Sequence, residues 1–125
     1  MKINRLLTNV CSKNLDESKH FYTSLFEFKV DYDSDWFIHL ISEGRQLELG
    51  IIADNHEVVP IKAIGRTSGV YLTFVVEDVD ELYIKAQKLK FEIIQSPETT
   101  DYGQNRMLLA APEGTVCDVS SPMKE

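Results

Sequence analysis

The sequence is poor in the residue types on which several kinds of site and fold depend. It has only two cysteines, Cys11 and Cys117, both in apolar strand-like segments, so we expect free buried thiols in a reducing cytoplasm rather than a disulfide. No apolar run approaches the roughly 20 residues that a membrane-spanning helix needs. The amino-terminal segment also lacks the long apolar stretch of a signal peptide. We therefore expect a cytoplasmic protein that does not bind a membrane.

Basic residues are scarce relative to acidic ones. Thirteen Lys and Arg stand against 20 Asp and Glu, which gives a formal net charge of −7. Nucleic-acid binding needs clustered Lys and Arg, so a nucleic-acid partner is not expected. The glycines are scattered singly, and no phosphate-binding loop is present. Acidic residues that line a cleft would attract a cationic ligand, whereas a merely acidic surface would keep the protein in solution.

The hydrophobic pattern of the chain repeats once. In the first half the pattern predicts strands at 3–12, 28–32, 36–42 and 46–52, with one helix after the first strand. Asn14 is the predicted N-cap of that helix, because Glu17 three residues later completes a capping-box pattern. Residues 43 and 44 form the predicted tight turn between the last two strands.

The second half has the same order of elements. Its predicted strands are 70–76, 91–95, 105–111 and 115–120, and Asp78 and Glu81 open its helix as Asn14 and Glu17 do 64 residues earlier. Two tandem β-α-β-β-β modules indicate an α+β fold in one domain. We predict module one at 1–53, a linker at 54–68 with a helical turn near 55–58, and module two at 69–125. The loop 96–104 would accommodate the extra residues of module two.

Three segments resemble, in this order, motifs of the vicinal oxygen chelate superfamily. They are residues 14–25, NLDESKHFYTSL; residues 74–80, FVVEDVD; and residues 112–119, PEGTVCDV. The resemblance implies the glyoxalase/bleomycin resistance/dioxygenase fold, in which the two modules form a curved mixed sheet shaped like a cup. Residues 102–106 and the strand that begins at Trp36 are most similar to the bleomycin-resistance branch. That branch implies antibiotic resistance by sequestration and a homodimer.

The resemblance also implies where a metal would bind. Metal-dependent members use one ligand on the first and one on the last strand of each module, and Glu48 and Asp118 occupy the last-strand positions. The first-strand positions hold Leu7 in one module and Val70 or Tyr71 in the other, which are not metal-ligating residues of the usual kind. We therefore predict no metal and no other cofactor. The alternative is a divalent metal ion held by Glu48, Asp118 and His39.

His39 is the histidine with a candidate role. The predicted turn places His39 opposite Glu48, with both side chains on one face of the hairpin. The two residues would be either an acid–base or ligand-orienting pair, or a cross-strand ion pair that only stabilises the sheet.

Aromatic side chains accompany these polar residues on or beside the predicted strands. Aromatic walls with a few acids suit a flat aromatic or cationic ligand. The predicted ligand-binding residues are Trp36, Phe37, His39, Glu48, Tyr71, Tyr102, Arg106 and Asp118. The sequence thus favours a metal-free, non-catalytic small-molecule binding protein. The alternatives are a metal-dependent glyoxalase-like lyase or dioxygenase with a non-standard ligand set, and a module that binds a protein partner.

Overall fold

The computed structural model describes residues 1–65 and 67–122. The chain divides into two units, Met1–Gly65 and Arg66–Glu125, and each contains one four-stranded sheet and one α-helix. No helix in the described part of the chain is long and apolar enough to cross a membrane.

The first unit follows the order β-α-β-β-β. Its elements are β1 (Asn9–Ser12), α1 (Leu15–Phe26), β2 (Lys29–Asp33), β3 (Phe37–Ile41) and β4 (Glu48–Ala53). The spatial order of the strands is β1-β4-β3-β2, with β1 parallel to β4 and the other pairs antiparallel. A short 3-10 helix, Ile61–Ala63, follows the sheet.

The second unit repeats this arrangement. Its elements are β5 (Leu72–Val75), α2 (Val79–Lys88), β6 (Glu92–Thr99), β7 (Gln104–Ala110) and β8 (Val116–Pro122). The spatial order is β5-β8-β7-β6, with the parallel pair again formed by the first and last strands. The α+β class and the repeated β-α-β-β-β module are confirmed.

Both helices begin where their capping residues predict. The Asn14 side-chain oxygen accepts a hydrogen bond from the Glu17 backbone N–H at 3.1 Å, and Asp78 accepts one from Glu81 at 3.2 Å. Each bond satisfies one of the backbone donors that have no partner within the first helical turn. The offset of 64 residues between the modules therefore reflects the same local chemistry used twice.

Asp78→Ala is expected to lower the free energy of unfolding by about 1 kcal/mol, because it removes the N-cap of α2. Urea unfolding followed by circular dichroism measures the change. Asp101→Ala is the matched control, since Asp101 is exposed in a turn and caps no helix. Equal losses in the two variants would contradict a capping role for Asp78.

Each helix covers one face of its own sheet. In the first unit, the buried residues Phe21, Tyr22 and Leu25 of α1 lie on β3 and β4, where Leu40 and Ile51 are fully buried. In the second unit, Val79 and Ala86 of α2 are buried, as are four strand residues on the face that α2 covers: Met107, Leu109, Cys117 and Val119. Alternation along the strands leaves the other faces to the residues of the candidate site.

Several predicted boundaries were wrong. β1 begins at Asn9 rather than at residue 3, and residues 1–6 are exposed. The short helix of the connecting segment is Ile61–Ala63 and not 55–58. β6 extends to Thr99 through two irregularities in its pairing with β7. Most of the predicted loop 96–104 is therefore strand, and the extra residues of the second module lie in a longer, bulged β6.

Candidate functional site

The hairpin of β3 and β4 has a different register from the predicted one. The pairs are Ile41 with Glu48 and His39 with Gly50, so His39 is not directly opposite Glu48. The loop is longer than the predicted tight turn: the Ser42 N–H donates to the Leu47 carbonyl at 2.9 Å. A shift of two residues preserves the face of each side chain. His39 and Glu48 therefore still meet, with 2.8 Å between Nε2 and Oε1.

Glu48 lies in a row of alternating basic and acidic side chains on this face of the first sheet. Arg5 Nε donates to both Glu48 oxygens, at 2.9 and 2.8 Å, and a terminal nitrogen of Arg5 also contacts Oε1. His39 Nδ1 lies 3.0 Å from Asp31 Oδ2, and an Arg45 terminal nitrogen donates to Asp31 Oδ1 at 2.9 Å. Both carboxylates are acceptors only, so a His39 ring nitrogen that carries a proton donates to the carboxylate beside it, and an Arg5 terminal nitrogen also lies 3.2 Å from His39 Nε2.

These contacts stabilise the charged forms of the carboxylates. The hydrogen bond from Arg5 is the main reason that the pKa of Glu48 is lowered to about 2 from its ordinary value of 4.5. Burial acts against this shift, and His39 adds to it. The pKa of Asp31 is lowered as well, first by His39 and then by Arg45, while the pKa of Arg5 is raised by Glu48.

The depressed pKa of Glu48 predicts a loss of stability in acid. The contribution is fully present above the ordinary value of 4.5 and is lost as the pH falls toward about 2, because the unfolded chain then binds a proton that the folded chain does not. Glu48→Gln should therefore reduce the slope of unfolding free energy against pH in this window, measured by urea unfolding. Glu43→Gln is the control, since Glu43 is exposed in the hairpin loop. An unchanged slope in Glu48→Gln would contradict the Arg5 contact.

Asp118 is the centre of a second polar cluster, on β8. Its Oδ1 accepts from Arg106 Nε at 3.0 Å and from the Ser120 hydroxyl at 2.9 Å, and its Oδ2 accepts from the Thr73 hydroxyl at 3.0 Å. Asp118 is only 7% exposed. It raises the pKa of Arg106, to which the phenols of Tyr102 and Tyr71 contribute further.

The sequence indicates that Glu48 and Asp118 occupy equivalent positions of the two sheets. The strand registers show that they do not. The 64-residue offset between the modules makes Thr73 the counterpart of Asn9. Asn9 pairs with Gly50 in the parallel pair of β1 and β4, and Thr73 pairs with Asp118 in the parallel pair of β5 and β8. Asp118 therefore corresponds to Gly50. A Cβ atom at Gly50 would lie 2.1 Å from Asn9 Oδ1, so the asparagine side chain occupies the space that a side chain at Gly50 would need.

The residues present do not fit the divalent metal that the resemblance implies for other members. Both oxygens of Glu48 accept from Arg5, and both oxygens of Asp118 accept from neighbouring side chains. In 1–65 and 67–122, no group of three or more His, Cys, Asp or Glu is arranged to hold a metal ion. Leu7 and Tyr71, which the resemblance placed on the first strands, lie just before β1 and β5 and supply no ligand of the usual kind.

The predicted aromatic residues separate into two groups. In the first unit, Trp36 stacks on His56, with 3.9 Å between ring centroids, and its ring lies 5.9 Å from that of Phe37. In the second unit, Tyr71 and Tyr102 are 58% and 70% exposed. The eight predicted ligand-binding residues thus form two sets of four, one in each unit: Trp36, Phe37, His39 and Glu48; and Tyr71, Tyr102, Arg106 and Asp118.

Sequence reasoning missed Arg5 and His56. Arg5 lies 43 residues from Glu48 in an exposed segment without regular structure, and no pattern of the sequence relates the two. The sequence suggests no role for His56, because its contact with Trp36 depends on the turns that follow β4.

Two clefts of about 480 and 420 Å³ lie in the first and second unit. The larger includes Asn14 and Leu15 at the start of α1, and the smaller includes Asp78 at the start of α2. None of the predicted ligand-binding residues lines either cleft.

Cys11 and Cys117 are not joined in a disulfide. Burial, and then Asp54, raises the pKa of Cys11, and Cys117 is fully buried. A raised pKa disfavours the thiolate, so Cys11 is not an activated nucleophile.

Solved structures of the same fold include the following three proteins. A glyoxalase/bleomycin resistance protein/dioxygenase family enzyme from Burkholderia phytofirmans PsJN is 24% identical over 94% of this chain and 97% of its own, with a TM-score of 0.78. The fosfomycin resistance protein FosX from Listeria monocytogenes is 13% identical over 98% and 96%, with a TM-score of 0.77. Lactoylglutathione lyase from Agrobacterium tumefaciens is 18% identical over 94% and 92%, with a TM-score of 0.71.

At these identities the likeness shows the fold alone. No curated protein matches the sequence. The family model described as Glyoxalase/Bleomycin resistance protein/Dioxygenase superfamily matches residues 2–118, and the chain therefore belongs to that superfamily.

Proposed function

We propose that the chain is a metal-independent, non-catalytic protein that binds a small aromatic molecule and protects by sequestering it. The observation that carries the proposal is that each last-strand carboxylate is paired with an arginine: Glu48 with Arg5, and Asp118 with Arg106. The guanidinium groups supply the positive charge that these carboxylates would otherwise obtain from a metal ion.

The Arg5 contact is the stronger obstacle to a metal. A cation that bound Glu48 would have to displace a guanidinium that contacts both carboxylate oxygens, and would gain one histidine and one carboxylate at most on this sheet. Transition metals in proteins are usually held by three or four ligands. Two protein ligands for a metal would therefore not compensate for the loss of the ion pair between Arg5 and Glu48.

The ion pairs of the acidic residues argue against a requirement for a cationic ligand. The sequence predicts an aromatic or cationic ligand, and the cationic option depends on acids beside the aromatic residues, but most of those acids already have a basic partner. Asp31 is paired with Arg45, Asp33 with Lys19, Glu48 with Arg5 and Asp118 with Arg106. Neutralised carboxylates attract a cation only weakly. We therefore retain the aromatic ligand and do not require a positive charge on it.

The alternative is a metal-dependent lyase or dioxygenase that uses His39, Glu48 and Asp118. The contact of 2.8 Å between His39 and Glu48 favours it, since the pair could exchange a proton. Against it, His39 Nδ1 contacts Asp31 and Glu48 is held by Arg5, so neither residue presents a free acid or base to a substrate.

The proposal includes a homodimer in the cytoplasm. Cysteines that are not in a disulfide accord with a reducing compartment. Apolar side chains that are exposed within a single copy, among them Val75 at 73% and Ile94 at 48%, would gain by burial between two copies. Light scattering of the purified protein measures the oligomeric state, and a strictly monomeric protein would contradict this part of the proposal.

A thermal-shift screen of purified protein against neutral, anionic and cationic aromatic compounds, drugs included, tests the binding function. A compound at about a hundred times its dissociation constant should add about 2.7 kcal/mol to the apparent stability. The screen is run on chelator-treated protein, so that a positive result cannot depend on metal. No shift with any compound of a broad panel would count against ligand binding.

A further inference from the structure

The guanidinium of Arg106 is held on one side and open on the other. Its Nε donates to Asp118 Oδ1 at 3.0 Å, whereas no acceptor among the described residues lies within hydrogen-bond distance of its two terminal nitrogens. The end edge of a guanidinium presents two parallel N–H donors that match the two oxygens of a carboxylate. Arg5 differs, because its Nε and a terminal nitrogen both contact Glu48.

The position of this guanidinium is fixed before any ligand arrives. Asp118, with its side chain 9% exposed, is itself held by the Thr73 and Ser120 hydroxyls, and Arg106 is 27% exposed. A donor whose orientation is set by buried neighbours loses little conformational entropy when it binds. Asp118 is thus a positioning residue for Arg106.

Two exposed phenols lie just before the strands that carry this cluster. Tyr71 precedes β5 and has the same strand parity as Thr73, whose hydroxyl contacts Asp118. Tyr102 lies in the turn before β7, four residues from Arg106. Exposed rings beside a guanidinium can stack on a flat ligand.

One carboxylate of the described residues is paired with this guanidinium. Glu98 is the cross-strand partner of Arg106, yet within 1–65 and 67–122 Asp118 is the one carboxylate that forms an ion pair with Arg106. Asp118 contacts Nε, which leaves the two terminal nitrogens as donors for a second carboxylate.

We infer that Arg106, Tyr71 and Tyr102 form a binding site for an aromatic carboxylate, in which the terminal nitrogens of Arg106 hold the carboxylate and the tyrosine rings hold the aromatic body. The inference rests on the proposed ligand-binding function and adds the charge of the ligand.

Isothermal titration with three probes of one shape tests the inference: naphthoate, the neutral naphthamide and the cationic naphthylmethylammonium. Naphthoate should bind about ten- to a hundredfold more tightly than naphthamide, because only the carboxylate makes charge-assisted hydrogen bonds. Arg106→Lys, which keeps the charge beside Asp118 but lacks the fork, should lose most of that preference. Arg45→Lys is the matched control, since Arg45 is an exposed arginine paired with an aspartate in the other unit.

Tyr102→Phe and Tyr102→Ala separate ring from hydroxyl at an exposed position where folding is not at risk. Tyr102→Phe should retain naphthoate binding, and Tyr102→Ala should weaken it severalfold. The inference is overturned if naphthamide or naphthylmethylammonium binds as tightly as naphthoate, or if Arg106→Lys binds naphthoate as wild type does. Either result leaves the binding function itself intact. Absence of binding by all three probes also overturns the inference, while the function is judged by the wider screen.

Discussion

Asp118→Ala should lower the free energy of unfolding by about 3 kcal/mol. The carboxylate is 7% exposed and accepts hydrogen bonds from Arg106, Thr73 and Ser120. Its removal leaves a partly buried guanidinium and two hydroxyls without their acceptor, and an unpaired buried polar group costs more than the hydrogen bond itself contributes. Urea unfolding at neutral pH measures the loss.

Asp33→Ala is the control for this prediction, because Asp33 forms an ion pair with Lys19 at an exposed position. An exposed pair contributes about 0 to 1 kcal/mol, so this variant should remain close to wild type. Asp118→Asn should lie between the two, since an amide keeps an acceptor oxygen but no charge. If Asp118→Ala costs no more than Asp33→Ala, Asp118 does not organise the second cluster, and Arg106 is not held as described.

Leu40→Ala should destabilise the protein by about 3 to 5 kcal/mol. Leu40 lies on β3 with no exposed surface, on the sheet face that α1 covers, and its truncation would leave a cavity in a closely packed core. The loss bears on the candidate site because His39, the next residue toward the amino terminus, is held on the opposite face by the same strand. Denaturant unfolding measures the change, and His39 contacts can be followed by nuclear magnetic resonance.

Leu47→Ala is the matched control, since Leu47 is 63% exposed in the loop before β4. This variant should change the unfolding free energy by less than about 0.5 kcal/mol, as surface substitutions usually do. Similar losses in both variants would mean that the two leucines share an environment. That result would contradict the assignment of Leu40 to the helix-covered face of the sheet.

Local chemistry was sufficient to predict the modules from the sequence. Asn14 and Asp78 cap their helices through contacts with residues three positions later, so each helix start is visible in four residues. Strand alternation likewise identified the faces of β3 and β4, and this is why His39 and Glu48 were correctly placed on one face despite the wrong register.

The register itself was not predictable because it depends on the loop. Gly44 and Arg45 both have positive φ angles, 86° and 61°, and the loop closes from Ser42 to Leu47 instead of around two residues. Arginine rarely adopts a positive φ angle, so the residue type at position 45 does not indicate this loop conformation. The predicted tight turn failed for that reason.

The partners of the acids were also beyond sequence reasoning. Arg5 meets Glu48 across 43 residues, and Arg106 meets Asp118 across 12. Both contacts are made by long side chains whose direction depends on the folded sheet. The acids were visible as candidate ligands, but their pairing with basic residues was not. That pairing is why the proposed ligand is aromatic and need not be cationic.

Metal binding by the natively purified protein tests the central claim most directly. Elemental analysis of the protein is followed by calorimetric titration of the chelator-treated protein with zinc, nickel, manganese and iron(II), and the titration is repeated with Glu48→Gln. The arginine pairs predict metal well below one equivalent per chain and no saturable heat with any ion. One equivalent of a divalent metal, or a saturable heat that Glu48→Gln abolishes, would contradict metal-independent binding.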